Sequence, residues 1–171
     1  IAAHAAPPVT MARRIAPNVR NGKTARIWGC LSRTSLDMAA FLNGVMVRYL
    51  DFNDTYRTVD GAHPSDNLPA VLAVAEAEDS TGMEFLLALT IAYEIQCRFV
   101  DCVAFNRRGW DMPISGAIAS TLSCGRLLGL TQPQLSEALA ISAISNICTY
   151  QSRAGELAMW KGCAAANGAR Q

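Results

Sequence analysis

The chain has 171 residues, enough to bury one real core, and its formal charge of +1 with 17% charged residues leaves no electrostatic footprint for nucleic acid. Hydrophobic residues make up 51% and mean hydropathy is positive, which implies apolar surface covered by something beyond these residues, either more polypeptide or a partner. The longest uncharged runs, such as 112–125, are too short and too rich in Ser, Thr and Gly for a membrane helix.

In chain order, the opening IAAHAAPPVTMARR carries a Pro pair and lacks the leucine-rich core of a signal peptide, so it reads as a tail in which His4 is incidental. It does not begin with Met, and the far end, GCAAANGARQ, lacks a convincing helix stop. The expectation is a piece cut from a longer protein at both ends. Thr34-Ser35 can cap a helix whose apolar residues recur at Met38, Phe41, Leu42, Val45, Met46, Tyr49 and Leu50. Gly44 within it costs about 1 kcal/mol relative to Ala, which implies close packing against another backbone. After a loop over 51–62, Ser65-Asp66 caps a helix to about Glu78, with Pro69 in its first turn. Thr81 with Glu84 forms a capping box for a long helix through Phe99 or beyond. The polar stretch 105–113 breaks the chain. A helix of small residues then runs from Ile114 to Leu128 and ends at Gly129. Thr131 to Gln134 caps the next, which reaches about Ile147, and a last helix follows from Glu156. Strand signals are scarce. The fold class read from this pattern is all-α, a single packed helical domain over 1–171.

Six cysteines lie mostly within apolar helical patterns and none has CxxC spacing, so they read as reduced, buried thiols. Two distant histidines with no Cys pair nearby make a zinc site implausible; the expectation is no metal and no cofactor.

The chemistry concentrates between Phe41 and Glu76. An apolar helix ends in Asp51 and Asp54, although carboxylates are disfavoured at a helix C-terminus where the macrodipole is already negative. One more helical turn would put both on one side, where partial burial and mutual repulsion would raise at least one pKa into the range useful for acid–base work. The plain alternative is that they cap the loop or pair with Arg48 and Arg57. His63 stands just before a helix N-terminus, which favours the neutral, basic imidazole, and the free N–H groups of that helix suit an anion. Arg107-Arg108 with Trp110-Asp111 forms a loop able to hold a carboxylate, or simply a solvated turn. Lys161, beside Trp160 near the start of the last helix, is on its own an ordinary solvated lysine.

Taken together, YLDFNDT (49–55), HPSDNLPAVLAVAE (63–76), RGWD (108–111), RLLGL (126–130) and MWKGCAAAN (159–167) resemble the MmgE/PrpD family, which includes 2-methylcitrate dehydratase, cis-aconitate decarboxylase and iminodisuccinate epimerase. The five motifs fall in the family's order, from about Ala25 to the end, and HPSDNLPA with WKGCAAAN is most similar to the 2-methylcitrate dehydratase-like branch. The resemblance implies a metal-free hydro-lyase acting on a small tri- or dicarboxylate, with a helical domain and a lid domain absent from this chain. It also implies a homodimer in the full-length protein, in the cytoplasm or, in a eukaryote, the mitochondrial matrix. Decarboxylation or epimerisation of a related acid on the same scaffold, or an inactive helical piece serving binding or assembly, are the rival readings. Carried over by motif, Asp51, Asp54, His63 and Lys161 line the site; Asp51, His63 and Lys161 are the catalytic candidates, and Asp54, together with Ser65, Arg108 and Asp111, the candidate substrate contacts. One departure stands out: relatives tend to carry histidine after the Gly-aromatic step, and here Met112 takes that place. A thioether cannot transfer a proton, so either Asp111 takes over or the role is absent.

Overall fold

The order of elements follows the caps and the apolar phase. In the computed structural model, residues 2–171 are described, and they form seven α-helices: α1 (Pro7–Ile15), α2 (Leu36–Arg48), α3 (Leu68–Ala77), α4 (Gly82–Cys102), α5 (Pro113–Leu127), α6 (Gln132–Ser145) and α7 (Ala164–Ala169). Short 3-10 turns and two antiparallel ribbons add the remaining regular structure, the ribbons being β1 (Ala25–Arg26) with β2 (Arg33–Thr34) and β3 (Tyr56–Arg57) with β4 (Gly61–Ala62). The all-helical expectation holds. The expected capping box Thr81/Glu84 opens α4, the expected cap at Thr131 opens α6 and is itself a capping box with Gln134, and Gly129 stops the chain after α5 at φ +67°.

Helix α5 packs against α3, α4, α6 and α7. Its buried positions explain how: Ser115, Gly116, Ala117, Ala119, Ser120, Ser123 and Gly125 are small enough for several neighbours to approach at native density. Gly44 on α2 performs the same service for α7. A Cβ there would lie 2.7 Å from the Ala166 Cβ and 3.2 Å from its Cα, so the expected close approach is real and α7 is its partner. Val9 of α1 joins Leu42, Val45 and Met46 of α2 with Cys163 and Ala166 in one apolar cluster.

A buried polar hub joins three helical elements. Asn67 donates through Nδ2 to Gln96 Oε1 on α4 at 2.6 Å and to the Pro64 carbonyl at 2.9 Å, and its Oδ1 accepts from Ser120 on α5 at 2.7 Å. Every group in this hub is satisfied, which makes it a rigid fixture rather than a liability. It seats the 3-10 turn Pro64–Asn67 that follows His63.

Several expectations fail in instructive ways. The Pro-rich opening is α1, because Pro is at home in a first turn and Val9 is fully buried. His4 packs beneath Gly29, with Nε2 3.4 Å from Cys30 Sγ. Ser65 and Asp66 do not cap α3; they lie in the 3-10 turn and direct their side chains sideways. No continuous helix starts at Glu156: the segment is a 3-10 turn at Met159–Gly162 followed by the short α7, and Lys161 lies in that turn. Helix α6 ends at Ser145, two residues early. Of the six thiols only Cys163 is buried, and Cys102 is exposed. Among the described residues no helix is long and apolar enough to cross a membrane. The apolar excess surfaces as exposed rows, Met83, Leu86 and Leu87 on α4 and Ile141 and Ile144 on α6.

Candidate active site

Helix α2 delivers Arg48 and stops. Asp51 then takes a left-handed conformation at φ +56°, so the chain turns away and Asp51 and Asp54 do not share a helical face, contrary to the one-more-turn expectation. Asp51 pairs instead with Arg48, three residues back, and accepts from Lys161 Nζ at 3.4 Å, bringing together two residues 110 positions apart. These side chains line a hollow of about 260 Å³ with Tyr49, Leu157 and Met159.

Arg48 is 3% exposed and its Nε, 3.8 Å from Asp66 Oδ2, has no hydrogen-bond partner. Burial lowers its pKa, partly countered by the Asp66 charge. Asp66 is buried too, and that burial pushes its carboxyl up to about 7 in spite of the Arg48 guanidinium and a hydrogen bond from Asn53 at 3.0 Å.

From Asp66 the network continues to the histidine. Asn53 Nδ2 lies 3.2 Å from Ser65 Oγ, and Ser65 donates to Asp54 Oδ1 from both its backbone N–H (3.1 Å) and its hydroxyl (2.5 Å). The Asp54 carbonyl accepts from His63 Nδ1 at 2.6 Å, while Thr55 Oγ1 sits 3.3 Å from the same nitrogen. A carbonyl can only accept, so Nδ1 carries the proton and Nε2 is the free, basic nitrogen. His63 is half-buried. Desolvation lowers its pKa, the Asp54 carbonyl opposes this, and the charges of Arg48 and Arg153 lower it further. The atom that orients His63 is thus a main-chain oxygen of Asp54, and the Asp51 carboxylate does not do so.

The imidazole opens into a cleft of about 570 Å³ whose walls include Thr55, Arg57, Thr58, Arg107, Met112, Tyr150 and Arg153. The β3–β4 ribbon forms one wall. It is pinned to the end of α4 by Tyr56 and Thr58, which donate to Asp101 at 2.9 and 2.8 Å. Of the expected substrate contacts, Ser65 and Asp54 sit behind His63. Arg108 is exposed and does not line the cleft, whereas its neighbour Arg107 does. Asp111 is 3% exposed and is held inside the wall by Arg153, with Nε 2.7 Å from Oδ1.

The whole chain, residues 1–171, matches the MmgE/PrpD N-terminal domain. The chain belongs to the MmgE/PrpD family. It is 33% identical over 160 residues to 2-methylcitrate dehydratase of Cupriavidus necator, covering 83% of this chain and 32% of the relative. It is 35% identical over 145 residues to 2-methylcitrate dehydratase of Salmonella typhimurium, covering 78% and 30%. It is 37% identical over 131 residues to alkylcitrate dehydratase phiI of a fungal species, covering 68% and 26%. The chain therefore spans under a third of the length of the curated relatives it matches.

In this MmgE/PrpD domain three contributors escaped the sequence reading as site residues. Arg48 did carry a signal, since it falls on the buried phase of α2 with Gly44 and Val45, where a charge is out of place. Asp66 was read only as a helix cap. Arg153 gave no local signal at all; its partner Asp111 is 42 residues away.

Proposed function

We propose that this domain carries the proton-abstracting part of an MmgE/PrpD dehydratase that removes water from 2-methylcitrate or a similar small tricarboxylate, leaving an alkene acid. One observation supports this most: a half-buried histidine whose Nδ1–H is tied to the Asp54 carbonyl, in a cleft walled by Arg57, Arg107 and Arg153. Such a site can receive a multiply charged acid and offers it a neutral base. His63 Nε2 takes the proton beside a substrate carboxylate. The C–H electron pair forms the new double bond, and hydroxide leaves with a proton as water. Cationic side chains stabilise the enolate-like charge that builds up meanwhile.

Asp54 and Ser65 support the loop, while Asp51 steers the Lys161 ammonium in a separate hollow that shares no lining residue with the His63 cleft, where it offers a cation to a carboxylate. The relatives' names support the reaction class. The exposed rows on α4 and α6 support a homodimer in the whole protein.

The test is dehydration of 2-methylcitrate by the whole protein carrying His63→Gln. Turnover should fall by roughly 10²- to 10⁴-fold. Near-wild-type turnover removes His63 from the mechanism. Evolved carbon dioxide, or inversion of a stereocentre without loss of water, would replace dehydration by decarboxylation or epimerisation.

A further inference from the structure

The geometry points to Arg153 as the side chain that anchors a substrate carboxylate in the cleft, with Asp111 as the positioning residue that holds it there. The inference rests on the tricarboxylate reading above and names the contact that reading lacks.

Asp111 spends its acceptor capacity inside the wall. Oδ1 accepts from the Met112 N–H at 2.8 Å and from Arg153 Nε at 2.7 Å; Oδ2 accepts from Ser152 Oγ at 2.9 Å and from Arg153 Nε at 2.9 Å. Main-chain bonds from Asp111 N to the Cys148 carbonyl and from Tyr150 N to the Gly109 carbonyl, both 2.8 Å, fasten the approach to α5 onto the turn Tyr150–Arg153. A carboxylate 3% exposed and so occupied is not placed to exchange protons with a ligand. Asp111 therefore does not stand in for the missing histidine at Met112.

The guanidinium is in the opposite condition. Both of its bonds to Asp111 leave from Nε, and Nη2 is buried with no hydrogen-bond partner. An unpaired buried donor is costly, yet this one belongs to a side chain that lines a cleft. With Nε committed to Asp111 and Nη2 enclosed, Nη1 is the terminal nitrogen left to donate a charge-assisted hydrogen bond to a carboxylate in the cleft. Nothing else in the cleft competes for it. Asp60, the other lining carboxylate, accepts from the Gly61 and Asn106 backbone N–H groups at 2.8 and 3.1 Å. The charge of Arg153 also reaches His63 and weakens its basicity. A carboxylate docked on Arg153 would cancel that charge and strengthen the base as substrate arrives.

The experiment uses the whole protein and propane-1,2,3-tricarboxylate, which lacks the departing hydroxyl and so binds without turnover. Calorimetry should show Arg153→Gln weakening this probe roughly 10- to 100-fold, the range for a charged hydrogen-bond pair, with Arg153→Lys in between. Asp111→Asn should raise KM more than it lowers kcat. In Arg153→Gln the acid limb of kcat/KM should move to higher pH, a change that loss of packing alone does not produce. If Arg153→Gln does not fold, the pair Asp111→Asn/Arg153→Gln, which leaves no lone buried charge, takes its place. Wild-type affinity for the probe in the glutamine variant overturns the anchor. His63→Gln separates the two levels: lost turnover with retained probe binding upholds the tricarboxylate reading whatever Arg153 does. A wild-type protein that neither binds the probe nor dehydrates 2-methylcitrate overturns both.

Discussion

The carbonyl oxygen of Asp54 lies 2.6 Å from Nδ1 of His63 and leaves Nε2 as the basic nitrogen of a half-buried imidazole. Desolvation and two nearby guanidiniums favour the neutral ring, so its pKa lies below the ordinary 6.5. Protonation removes the base, and activity should therefore fall as pH drops through that lowered value. The acid limb of kcat/KM for 2-methylcitrate should have its midpoint below 6.5. A midpoint above 6.5 would contradict the role given to this nitrogen.

Asp66 makes a prediction of opposite sign. Its folded-state pKa, about 7, stands above the ordinary 3.8, so the fold prefers the protonated acid. The associated stability is fully present below pH 3.8 and is lost as pH rises through 7. For a fully buried group that amounts to at most about 4 kcal/mol over the window. Urea unfolding between pH 4 and 8 should show the wild-type chain losing stability relative to Asp66→Asn as pH rises. Parallel curves would refute it.

Gly44 sets two effects against each other. Alanine in a helix interior is favoured by about 1 kcal/mol. The new Cβ, however, would meet the Ala166 Cβ at 2.7 Å and its Cα at 3.2 Å, neither of which is a flexible chain end. Overpacking of this kind costs about 1–3 kcal/mol, so Gly44→Ala should destabilise on balance. Adding Ala166→Gly should recover most of the loss. A stabilised Gly44→Ala, measured by denaturant midpoint, would show that α7 yields more readily than this packing implies.

Asn67→Leu keeps the volume and deletes the hub. Gln96 Oε1 and Ser120 Oγ would each lose a buried partner. The expected cost is about 2–5 kcal/mol in denaturant unfolding, out of proportion to a single side chain, because a network is removed with it. A change under about 1 kcal/mol would mean that water or a rotamer shift satisfies those groups.

What the sequence made legible was local. Thr81 with Glu84, Thr131 with Gln134, and Gly129 each announce a boundary through chemistry that acts within four residues, and each boundary is where it was expected. Gly44 likewise advertised a close approach, though not to which helix. Non-local causes stayed hidden. Pro7-Pro8 reads as a tail until Val9 has Leu42 to pack against. Asp51 was legible as a rule-breaking carboxylate, but its partnership with Lys161 depends on how the last 3-10 turn lies against the end of α2. Arg153 lies in YQSRAGE, a stretch indistinguishable from a solvated loop until Asp111 buries its carboxylate beside it. His63 and Asp54 were named together, yet the atom that matters is a main-chain oxygen that no residue type encodes.

The small-residue surface of α5 has an evolutionary corollary. The buried face of α5 is Ser, Gly and Ala against several neighbours, and at Gly125 a Cβ would meet Leu135 and Leu130 side chains at 2.5 and 3.3 Å, so enlarging that position pushes on two segments at once. Side-chain exchange meets less resistance at the rim, the stretches 49–62 and 150–162, whose residues are mostly exposed.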